Sequence, residues 1–78
     1  MQDPKNTLAR LYDDKSAEVG NLEGDWSDAM RSLSRLALTE FEDFSLDALQ
    51  AVHEQLRGLS PKLAKAKADQ AELRGRLL

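Results

Sequence analysis

The chain has 78 residues, a formal net charge of -3 and no cysteine. A domain this short buries little apolar surface for its length. The missing cysteines exclude disulfides and thiolate metal sites, so good helix packing, self-association or a partner must supply the stability. The acids and bases are unevenly placed: residues 1–44 hold ten acids against five bases, and residues 45–78 hold four against six.

The opening Met1-Gln2-Asp3-Pro4-Lys5 has no apolar core, so no signal peptide is expected. No apolar run approaches the length of a membrane span. A cysteine-free chain of this kind is expected in the reducing cytoplasm. Asp3-Pro4 is a good helix start, because aspartate caps free amides and proline at the first position loses no useful bond.

From there an apolar seam runs Leu8, Tyr12, Lys15, Val19, Leu22, Trp26, Ala29, Leu33, Leu36. Its steps alternate between three and four, the spacing of a coiled-coil interface. Gly20 and Gly24 fall outside the seam. That favours a continuous or kinked helix over a break at Gly20-Asn21.

Glu40-Phe41-Glu42-Asp43-Phe44-Ser45 reads as the turn. Three acids oppose the dipole at a helix C-terminus, so the first arm should span about 4–41 and the turn 42–45. Phe41 and Phe44 are expected to fold over the end and close it. Ser45 is placed to cap the second arm, about 46–77, with Asp47 in its first turn.

That arm carries a second seam: Leu49, Val52, Leu56, Leu59, Leu63, Ala66, Gln70, Leu73, Leu77. Folded antiparallel, the seams match layer for layer, from Leu36 with Leu49 to Leu8 with Leu77, and paired residue numbers always sum to 85. The polar residues Lys15 and Gln70 share a layer. Across the flanks, Glu23–Lys67 and Asp25–Lys62 should attract, and Glu18–Asp69 should repel.

Ser60-Pro61 is the main obstacle, since proline inside a helix removes one hydrogen bond and clashes one turn back. The unbroken phase through Leu56, Leu59 and Leu63 favours a kink or short break there. The rival is a third helix starting at Ser60, which would make a three-helix bundle.

The expected fold is therefore all-α. It is one helical domain over residues 1–78, an antiparallel coiled-coil-like hairpin that dimerisation could complete into a four-helix bundle.

No arrangement carries enzyme chemistry. The lone His53 has no second ligand at helical spacing, so no metal is expected. The pairs Asp13–Asp14 and Asp25–Asp28 lack the cleft that catalytic carboxylates need. No nucleophile stands with a base, and nothing calls for a cofactor.

What remains is apolar surface outside the seam. The expected function is a non-enzymatic protein–protein interaction module, a small regulatory or accessory protein. Its partner face is Met30, Leu33, Ala37, Phe41, Phe44 and Leu46, and its partner is itself, as a homodimer, or another helical protein. Two alternatives stand beside it. One is a dimeric nucleic-acid-binding regulator contacting phosphates through Lys62, Lys65, Lys67 and Arg74. The interleaved acids and the lack of aromatics in that arm weigh against it. The other is a chaperone or subunit folded only with an obligate partner.

Overall fold

The computed structural model describes residues 4–78. Helix α1 spans Pro4–Ala37 and helix α2 spans Leu46–Leu77, with a single 3-10 turn at Phe41–Asp43 between them. The two helices pack against each other as an antiparallel hairpin. The expected cap at Asp3 lies outside the described residues.

The hairpin is a rod of 64 × 19 × 15 Å. Its radius of gyration is 17.8 Å, against ~11–12 Å for a compact domain of this length. Two helices side by side have only one seam to bury, and that seam defines the core. Val19, Ala29, Val52 and Ala66 are buried, and among the described residues no large side chain is fully enclosed. Every other position of both seams is half-buried except Leu77, which is 37% exposed.

The cross-strand contacts fix the register. Gln70 Nε2 donates to Ser16 Oγ at 3.0 Å. Lys15 Nζ lies 3.7 Å from Asp69 Oδ2. Lys67 Nζ lies 3.5 Å from Glu23 Oε1, the pairing expected from the heptads. The first two straddle the Lys15/Gln70 layer. Asp25 and Lys62 do not form the expected ion pair within 4 Å. The feared Glu18–Asp69 repulsion is relieved because Lys15 sits between them, 2.7 Å from Glu18 Oε2.

Helix α1 runs unbroken through Gly20 and Gly24, which are both exposed. It ends at Ala37 rather than near residue 41. The Leu38 amide is shared between the Ser34 and Arg35 carbonyls, both at 3.2 Å. The Thr39 amide then bonds Leu36 O at 3.1 Å, tightening the last turn. The Thr39 hydroxyl donates to Arg35 O at 2.7 Å, joining the Leu38 amide on a carbonyl whose usual i+4 amide has turned to Leu36 O. Glu40, Glu42 and Asp43 follow, and their charges disfavour any extension.

Ser45 caps α2 by accepting from the Ala48 amide at 3.1 Å. Helix α2 then continues through Pro61, so the chain neither breaks there nor forms a three-helix bundle. Pro61 is exposed, and Leu59 and Leu63 on either side remain half-buried in the seam. The carbonyl that Pro61 leaves without a helical partner belongs to exposed Arg57, where water can reach it.

Candidate functional site

The turn end of the hairpin concentrates the exposed apolar surface. Leu38 is 86% exposed, Phe41 90% and Leu46 74%. Short connections explain this. The chain leaves α1 at Ala37, makes one 3-10 turn and enters α2 at Leu46, so these residues lie beyond the last seam layer of Leu36 and Leu49. Phe44 is half-buried at this end, together with Thr39 and Ala48. Phe41 stays in solvent, so one ring rather than two folds in at the tip.

Heptad geometry extends the patch down one flank. Met30 and Ala37 fall two turns apart on one stripe of α1, with Leu33 between them at the seam edge. Leu46, Leu49 and His53 form the matching stripe of α2. With paired numbers near 85, Ala37 stands beside Leu46 and Met30 beside His53. Met30 is 40% exposed, whereas Leu33 is half-buried opposite Val52. Of the expected partner face, Met30, Ala37, Phe41 and Leu46 are thus exposed, and Leu33 and Phe44 mainly serve the hairpin. Leu38 belongs with the exposed group although the heptads single out no role for it. Its only sequence signal is an apolar residue two positions past the last seam leucine.

The basic arm is differently built. Lys62, Lys65, Lys67 and Arg74 are all exposed, but they do not form one positive face. Lys67 pairs with Glu23, and Arg76 pairs with Glu72 at 2.8 Å. Lys62 and Lys65 line an open cleft of about 220 Å³ together with Lys15, Glu18 and Asp69, over Leu22 and Ala66. The hydrogen bond that Lys15 donates to Glu18, helped by the charges of Glu18 and Asp69, raises the Lys15 pKa above its ordinary 10.5. Such a cleft offers both charges and would repel a polyphosphate as well as attract it.

Among the described residues, no group of three His, Cys, Asp or Glu side chains is placed to hold a metal ion. No helix among them is long and apolar enough to cross a membrane. No protein-family model matches the chain, and neither does any curated protein or solved structure.

Proposed function

We propose that this protein is a non-enzymatic interaction module that docks through the apolar tip of its hairpin. The exposure of Leu38, Phe41 and Leu46 together at one end carries this reading. Scattered exposed apolar residues are ordinary, but a contiguous group marks a contact surface. Phe41 has the size and shape of an interface anchor, a large ring held on a short turn with little entropy left to lose. The hairpin serves as a rigid stalk. Its ion pairs and polar layer set the register, and the register brings α1's end beside α2's start.

The full chain carrying a photoreactive phenylalanine analogue in place of Phe41 tests this. Irradiation in the native host is expected to give a discrete covalent protein adduct. The same analogue at exposed Ala17, on the outer face of α1, is expected to give none. Adducts equally from both positions, or from neither, would overturn the reading.

A further inference from the structure

We infer that the surface seated on this tip is a second copy of the same chain, overlapping it antiparallel about a two-fold axis. This rests on the tip being the docking surface and names its occupant. Two observations carry it.

The first is area. The chain exposes 6198 Å², whereas a compact monomer of this mass exposes ~4,700 Å². The excess is larger than the ~800 Å² that each partner gives to a standard interface. Among the described residues, no large side chain is fully buried in the hairpin alone. Packing one pair of helix ends on another converts the tip into a local four-helix bundle and supplies the missing enclosure.

The second is charge. The apolar patch has an acidic end at the turn, and an exposed arginine further along α2 of the same molecule. Glu40, Glu42 and Asp43 lie at the turn, and none makes an ion pair among the described residues. On the other side of the patch stand His53, the acid Glu54 and, one turn past His53, Arg57, the cation that could meet the turn. Arg57 is exposed and makes no ion pair within the described residues. It lies eight residues beyond Leu49, about 12 Å along α2. When two patches meet face to face about a two-fold axis, the turn of each copy overshoots the patch and falls over the His53–Arg57 stretch of the other. Such an isologous contact brings an Arg57 to both acidic turns at once. A partner of another kind would have to bring a matching apolar and charged surface, and this chain already carries one.

Sedimentation of the full chain over a range of concentrations tests the proposal, with circular dichroism confirming that each variant remains helical. The wild type is expected as a dimer that dissociates on dilution. Phe41→Ser with Leu46→Ser should leave a helical monomer at every concentration. Both side chains are mostly in solvent in the single hairpin, so the fold should survive. Arg57→Glu should weaken the dimer by roughly fivefold, the scale of exposed ion pairs. Adding Glu42→Arg to Arg57→Glu should restore it. A helical wild-type monomer at the highest soluble concentration would overturn the proposal, as would a dimer indifferent to the tip substitutions. If that monomer still gave the position-41 photoadduct with a different protein, self-pairing alone would fall. If it gave no adduct, the docking reading would fall with it.

Discussion

Gln70 reaches across the hairpin and donates its side-chain amide to the Ser16 hydroxyl at 3.0 Å, joining residues 54 apart in sequence. It is a part-buried side-chain hydrogen bond between the two helices. One residue away on each strand, Lys15 reaches Asp69 while also holding Glu18. The seam is therefore apolar from Val19 to the turn and polar at this one level. A polar layer costs burial, and it penalises any pairing that sets Lys15 or Gln70 against leucine.

Replacing that layer with Lys15→Leu and Gln70→Leu should raise stability, seen as a melting temperature higher by a few degrees. Two half-buried leucine contacts outweigh the weak, solvent-screened ion pairs and hydrogen bond they replace. The cost should appear in specificity. With cysteines at Leu22 and Leu63, which share a layer, oxidation of the otherwise native chain should close an intramolecular disulfide. In the double-leucine background, more of the product should be cross-linked between chains. A less stable double-leucine variant would show that the polar layer contributes net stability, contrary to this reading.

Lys15 also predicts an alkaline response. Its pKa is raised in the folded state by Glu18, then Asp69. A raised basic group stabilises the fold fully below the unfolded value of 10.5. That contribution is lost as pH climbs through the higher folded value. The melting temperature of the wild type, measured against Lys15→Met, should therefore hold steady up to about pH 10 and fall beyond it. The methionine variant keeps the other titrating groups, so the difference reports Lys15. A constant difference from neutral pH to pH 11–12 would remove Lys15 from the account.

The seam was legible in the sequence because a period of 3.5 leaves no other face for its leucines to share. Trp26 with Leu59 and Val19 with Ala66 follow from counting alone. The tip was only partly legible. Heptads end at Leu36, and beyond them no period says which way a side chain points. Phe41 and Phe44 look equivalent in sequence, yet one is in solvent and the other half-buried. The difference arises from where α1 stops, at Ala37, four residues short of Phe41. Likewise the acids Glu18 and Asp69 read as a repulsive pair until the length of the Lys15 side chain, and its reach to both, is taken into account.

Gly20 and Gly24 offer a test of whether α1 needs flexibility. An added Cβ at either position meets nothing within 4 Å. Neither glycine has a positive φ. Gly20→Ala with Gly24→Ala should therefore stabilise the helix by up to ~1 kcal/mol per site. At a fixed protein concentration this corresponds to roughly 4–8 °C per kcal/mol for a chain of this size. Thermal melts by circular dichroism read it directly. A fall in melting temperature would mean that these outer positions are occupied by a partner that the alanine methyl groups displace.

Pro61 makes the opposite demand on α2. The helix passes through it from Leu46 to Leu77, so the Arg57 carbonyl lacks its amide partner and the ring crowds the preceding turn. Proline in a helix interior costs ~3 kcal/mol, of which about 1 kcal/mol is returned by a less mobile unfolded chain. Pro61→Ala should thus stabilise the hairpin by roughly 2 kcal/mol, seen as a higher urea midpoint with an unchanged slope. Amide exchange around residues 58–64 should slow as the missing hydrogen bond forms. Both readouts are needed. A higher midpoint without slower local exchange would place the gain in the unfolded state. A lower midpoint would show that Leu59 and Leu63 need the local geometry proline imposes in order to stay in phase with Trp26 and Leu22.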